Sequence, residues 1–145
     1  MSINTFGEAL KFGMKLETAL ETAYGEAAEA AVDSSRKELF EDFAAAGPKY
    51  RKVLESIYSE NTHSDMDSGV LAPIKSMQET DYSAQENKGS SQGSEPEALE
   101  EAAVHFYKDF LEHMPSVPRS VRRRIQKLHS EHADRHSRLA GLHSS

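Results

Sequence analysis

Glu17 and Tyr24 stand seven residues apart, and Glu100 and Tyr107 repeat the pair eighty-three residues later. Seven residues are close to two helical turns, so each Glu shares a face with its Tyr. Both faces are otherwise apolar: Phe6, Leu10, Met14, Leu20, Ala27 and Ala31 surround the first pair, and Leu99, Ala103, Phe106, Phe110, Leu111 and Met114 the second. An ionised carboxylate taken out of water costs several kcal/mol unless a cation or hydrogen-bond donors meet it. Two carboxylates in hydrophobic seams are therefore the feature that a metal centre in the core of a helical protein leaves in a sequence.

The elements that must position these residues are helical. Thr5 with Glu8 reads as a capping box opening helix one, about 6–31. Ser35 with Glu38 repeats the signal for helix two, about 35–59, whose stripe is Leu39, Phe40, Phe43, Ala46, Tyr50, Val53, Leu54 and Ile57. Gly47-Pro48 interrupts that stripe and predicts a kink, because proline removes a backbone hydrogen bond and clashes with the preceding turn. Residues 61–94 are rich in Ser, Asn, Asp, Gly and Gln and read as a crossover, flexible over Gly89–Ser94. Within it Val70–Ile74 is expected to pack as a short turn or helix. Ser94, Pro96 and Glu97 open helix three, about 95–114. After the turn Pro115-Ser-Val-Pro118, helix four spans about 117–140 with Val121, Ile125, Leu128, Leu139 and Leu142 on one side and Gly141 as its stop. Two short connections and one long one specify a single all-α domain over 1–145, an antiparallel four-helix bundle of two hairpins joined by the crossover.

The two hairpins are alike in sequence. Leu16, Glu17, Leu20, Ala23 and Tyr24 correspond to Leu99, Glu100, Ala103, Phe106 and Tyr107, while Phe40, Phe43, Gly47, Tyr50 and Leu54 correspond to Ile125, Leu128, His132, Arg135 and Leu139 at an offset of eighty-five. The run Glu100-Glu-Ala-Ala-Val-His-Phe106-Tyr107 resembles the third-helix motif of the ferritin-like superfamily, and of its rubrerythrin-type proteins in particular. Glu17 to Tyr24 is similar to the first-helix version. The resemblance covers the four helices and implies a di-iron site, with one Glu from each of helices one and three and a Glu-x-x-His from each of helices two and four. This chain departs from that pattern. Gly47 and Tyr50 stand at the helix-two ligand positions, and His132 and Arg135 at those of helix four. A shift of one residue would offer Glu131 and Asp134 instead, but at about 100° per residue Asp134 turns away from the apolar face of helix four.

Two accounts of the buried carboxylates follow. In one, Glu17, Glu100 and His132 hold a single iron, zinc or manganese ion. The resemblance then implies non-haem chemistry with peroxide or dioxygen, and the missing rubredoxin-type cysteines would require an external electron donor. In the other, Arg135 supplies the positive charge, bridging one or both carboxylates, while Tyr24, Tyr50 and Tyr107 donate hydrogen bonds. The second account is favoured, because helix two contributes no ligand and Gly47-Pro48 distorts the wall where ligands are needed. It makes the chain a degenerate, non-catalytic relative of the di-iron bundles with no cofactor, acting through its surface as a homodimer or binding partner.

Other constellations carry less. His129, His132 and His136 on helix four offer an i, i+4 chelate, but only His132 is central to the stripe; His105, His113 and His143 read as surface residues. Phosphate loops and a nucleophile triad are absent. Absence of cysteine excludes disulfides, thiolate zinc sites and iron–sulfur clusters. The net charge of −7 divides unevenly: residues 1–100 carry nine basic and nineteen acidic side chains, residues 101–145 eight and five. The cluster Arg119, Arg122, Arg123 and Arg124 lacks aromatic companions and faces an acidic remainder, which argues against nucleic acid and for a solvated helix start or an acidic neighbouring subunit. No membrane span or secretory leader is evident, and the expected location is cytoplasmic.

Overall fold

The computed structural model describes residues 2–62, 69–82, 95–114 and 117–143. Four helices carry most of them: α1 (Phe6–Ala30), α2 (Ser34–Glu60), α3 (Glu95–His113) and α4 (Arg119–His143). The Thr5 hydroxyl accepts the Glu8 N–H at 3.1 Å, and the Glu8 carboxylate accepts the Thr5 N–H at 3.3 Å, so the capping box forms at the start of α1. At α2 a different residue takes the capping role. The carboxylate of Asp33, not Ser35, satisfies a free N–H of the first turn, that of Ser35 at 3.2 Å.

α2 continues through Pro48 as one helix. Pro48 is exposed, so solvent can satisfy the carbonyl that loses its donor there. α4 likewise runs past Gly141, the expected stop, to His143. Its last turn is held from outside: the Arg36 guanidinium donates to the Leu142 carbonyl at 3.1 Å.

The all-α expectation needs one addition. Residues Ser2–Thr5 form strand β1 and Pro73–Gln78 form strand β2, paired antiparallel with Ser2 opposite Gln78 and Ile3 opposite Met77. Val70–Ile74, expected as one turn or helix, divides between a 3₁₀ turn over Gly69–Leu71 and the start of β2. Two contacts explain the docking. The Phe6 N–H donates to the Ala72 carbonyl at 2.9 Å, and Gly7 leaves room that a Cβ would fill, since one placed there would stand 2.8 Å from the Val70 carbonyl oxygen. Ile3 and Met77 are buried on one side of this ribbon. The expected flexible stretch Gly89–Ser94, the Ser94 cap and Pro115-Ser116 lie outside the described residues.

The helices pack in pairs, α1 on α2, α3 on α4 and α1 on α3, while α2 and α4 approach each other in fewer places. Phe6, Leu10, Leu20, Leu54, Phe106, Phe110 and Ile125 meet in one core, each side chain contributing roughly 1.5–3 kcal/mol by leaving water. Gly13 brings α1 close to that core, where a Cβ would touch Leu54 at 3.0 Å and Phe106 at 3.4 Å. Among the described residues no helix is long and apolar enough to cross a membrane.

Candidate functional site

At the centre of this core lie four buried polar or charged side chains: Glu17 from α1, Glu100 from α3, and His132 and Arg135 from α4. The stripes of α1 and α3 deliver the two glutamates, and the α4 stripe through Val121, Ile125, Leu128 and Leu139 delivers His132 between them. His132 Nε2 is 2.7 Å from Glu17 Oε2 and His132 Nδ1 is 2.6 Å from Glu100 Oε1. Each glutamate also receives a phenol, and the two Glu–Tyr pairs exchange partners. Tyr107 on α3 donates to Glu17 at 2.6 Å, while Tyr24 on α1 donates to Glu100. Such an exchange requires α1 and α3 to run in opposite directions, so that the Glu of each helix is level with the Tyr of the other.

The hydrogen bonds fix the protonation pattern. A neutral imidazole has one donor and one acceptor nitrogen, whereas both nitrogens of His132 face carboxylate oxygens, so the ring is an imidazolium. Burial by itself would lower its pKa; the hydrogen bonds and charges of Glu100 and Glu17 outweigh burial and raise it from 6.5 to about 9. Burial is also the main cause that pushes the Tyr107 and Tyr24 phenols upward, reinforced by the charges of Glu17 and Glu100, so both remain O–H donors. The Tyr107 ring stacks on the imidazole, with centroids 5.6 Å apart and planes 11° from parallel.

Arg135 meets one of the two carboxylates, Glu100, and not both. Bridging the pair falls to His132, which sits one turn nearer the middle of the stripe. The Arg135 guanidinium lies 3.7 Å from Glu100 and is boxed by aromatic rings, 4.4 Å from the Phe43 centroid and 4.8 Å from that of Tyr50. Tyr50, expected to donate to a core glutamate, instead donates to Glu131 at 2.5 Å and sets its ring edge-on to His132. With Glu17, Glu100, His132 and Arg135 ionised, the cluster is electrically balanced, two charges of each sign.

Several residues singled out in the sequence fall elsewhere. Gly47 faces α1 rather than the carboxylates: a Cβ there would stand 2.9 Å from the Glu21 Cβ. Asp134 is exposed, as its helical angle predicts. His129 and His136 are half-buried, and His136 lies 3.9 Å from Glu101 at the surface. The arginine cluster closes helix ends: Arg124 grips Glu60 with two nitrogens at 2.7 and 3.1 Å, Arg122 donates to the Leu111 carbonyl, and Arg119 and Arg123 are exposed. Two further links carry no mark in the sequence, the Tyr50–Glu131 bond and the bond from Tyr82 to Asp109 at 2.7 Å. Both join residues distant in the chain, and neither follows from helical spacing.

As folded, the donor set does not fit a di-iron centre. A metal-ligating histidine offers a lone pair, and both nitrogens of His132 are committed as donors to carboxylates. α2 places Phe43 and Tyr50 beside the cluster, and neither is a carboxylate or imidazole. Among the described residues, no group of three or more His, Cys, Asp or Glu side chains is placed to hold a metal ion. No protein-family model, curated protein or solved structure matches the chain.

Proposed function

We propose that the chain is a ferritin-like, rubrerythrin-type four-helix bundle, antiparallel and built from two hairpins joined through residues 61–94, in which an organic charge network stands where a di-iron site would be. On this reading it is not an enzyme and has no cofactor. It acts in the cytoplasm as an interaction or oligomeric protein, with a homodimer as its simplest assembly. The observation that carries the proposal is the position of His132, with one ring nitrogen on Glu17 and the other on Glu100. The repeated Glu–Tyr pairs support the ancestry, and the balanced charges support a structural use of both glutamates.

Replacing Arg135 with Met tests it. In the network, Arg135 is a buried counter-charge, and removing one partner of a buried pair costs about 3–5 kcal/mol. The expected result is a clear loss of stability in denaturant unfolding without any gain in affinity for iron. Unchanged stability together with tighter iron binding would refute the proposal.

The convergence of Glu17, Glu100 and His132 also favours a second reading, a single iron, zinc or manganese ion on those three residues and peroxide or dioxygen chemistry fed by an external electron donor. That reading requires His132 to lose a proton and give up at least one of its two carboxylate bonds.

A further inference from the structure

The geometry points to a binding site for one small carboxylate ligand at the seam between α2 and α4, taken by Arg135 at its floor and Arg138 at its mouth. Arg135 is 7 % exposed, yet no hydrogen bond joins its guanidinium to an acceptor among the described residues; its single ion pair, to Glu100, is 3.7 Å long. None of the described side-chain nitrogens or oxygens is both sealed from solvent and without a hydrogen-bond partner. The guanidinium nitrogens therefore open onto solvent, although almost all of the residue is covered. A planar fork of N–H donors, flanked by Phe43 and Tyr50 at 4.4 and 4.8 Å, thus keeps contact with solvent from an otherwise covered residue.

A second guanidinium reaches the same aromatic ring. Arg138, one turn further along α4, lies 5.2 Å from the centroid of the same Phe43 ring and forms no ion pair among the described residues. The two α4 carboxylates close to these arginines in sequence, Glu131 and Asp134, form no ion pair with either of them among the described residues, and Glu131 is engaged by the Tyr50 hydroxyl. Seams lined by two guanidinium groups without a carboxylate hydrogen bond attract an oxyanion, and the fork matches a planar carboxylate bidentately. Aromatic walls on the floor suit a flat carboxylate better than a tetrahedral phosphate. The fourfold charge balance of the core is complete without Arg138, so the extra positive charge at the mouth is the one that a ligand's negative charge would match.

This goes beyond the reading of the core as a replaced metal site and stands apart from it: metal content decides that reading, and anion titration decides this one. The test is calorimetric titration of the whole chain with sodium benzoate, sodium acetate and inorganic phosphate at constant ionic strength, with the Arg Nε–H resonances followed by NMR. The expected result is saturable binding of one benzoate per chain, a shift of the Arg135 Nε–H signal, and affinity weakened about tenfold or more in Arg138→Gln, as loss of a charge-assisted bond implies. Arg138 lies outside the core, so that variant keeps the fold. Arg135→Lys, which retains charge without the fork, should weaken benzoate further. Absence of saturable binding, binding unchanged in Arg138→Gln, or phosphate binding as tight as benzoate would each overturn the assignment.

Discussion

Glu17 and Glu100 share one imidazole ring: His132 lies between them, 2.7 Å from the first and 2.6 Å from the second. Two carboxylates brought this close in a dry core repel unless positive charge separates them. A single imidazolium, with Arg135 behind Glu100, provides it without a metal. Each glutamate has a phenol as a second donor: Tyr107 shares Oε2 of Glu17 with the imidazole, while on Glu100 Tyr24 takes Oε2 and the imidazole Oε1.

His132 has a folded-state pKa of about 9 against an unfolded value near 6.5, so its contribution is complete below pH 6.5 and is lost as pH rises through 9. The gap corresponds to on the order of 3 kcal/mol. Denaturant unfolding measured from pH 6 upward should show stability falling across that window, and His132→Gln should remove most of the slope. A flat profile in the unmodified protein would contradict the imidazolium assignment.

Tyr107→Phe and Tyr24→Phe should each destabilise by about 1–3 kcal/mol, because each leaves a buried carboxylate short of a donor while barely changing the packed volume. Tyr107→Phe should also perturb His132, whose ring it stacks against, and the His132 NMR signals report that. Equal stability of both variants and the parent would show that the phenols are only packed against the glutamates.

Two glycines make opposite predictions. A Cβ on Gly25 meets nothing within 4 Å, so Gly25→Ala should gain roughly 0.5–1 kcal/mol from helix propensity. A Cβ on Gly47 would press on the Glu21 Cβ at 2.9 Å, the stiff base of that side chain, so Gly47→Ala should lose stability by about 1 kcal/mol or more despite the same propensity gain. Thermal unfolding of the two variants, side by side, reads the difference as a sign change.

The helices, their stripes and the residues that gather in the core were legible because burial repeats every three to four residues. Glu17, Tyr24, Glu100 and Tyr107 stood out because each interrupts an apolar run with a polar group. Partner choice was not legible. That Tyr24 serves Glu100 and Tyr107 serves Glu17 follows from the opposed directions of α1 and α3, and that His132 rather than Arg135 bridges follows from a one-turn difference in depth along α4. Tyr50 pairs across the α2–α4 contact with Glu131, a residue that helical spacing does not single out. The ribbon of Ser2–Thr5 with Pro73–Gln78 was hidden for another reason: four and six residues are too few to show a period, and pairing across some seventy residues leaves no local mark.

If charge on His132 and Arg135 replaces a metal between Glu17 and Glu100, the purified protein holds no stoichiometric ion, which elemental analysis measures. Protein produced in iron-replete medium, dialysed and analysed for transition metals, should carry well below one equivalent per chain, and its unfolding temperature should not change on treatment with a chelator. Stoichiometric iron that survives dialysis, is lost together with stability in chelator, and disappears in a Glu17→Gln, Glu100→Gln double variant would contradict the account.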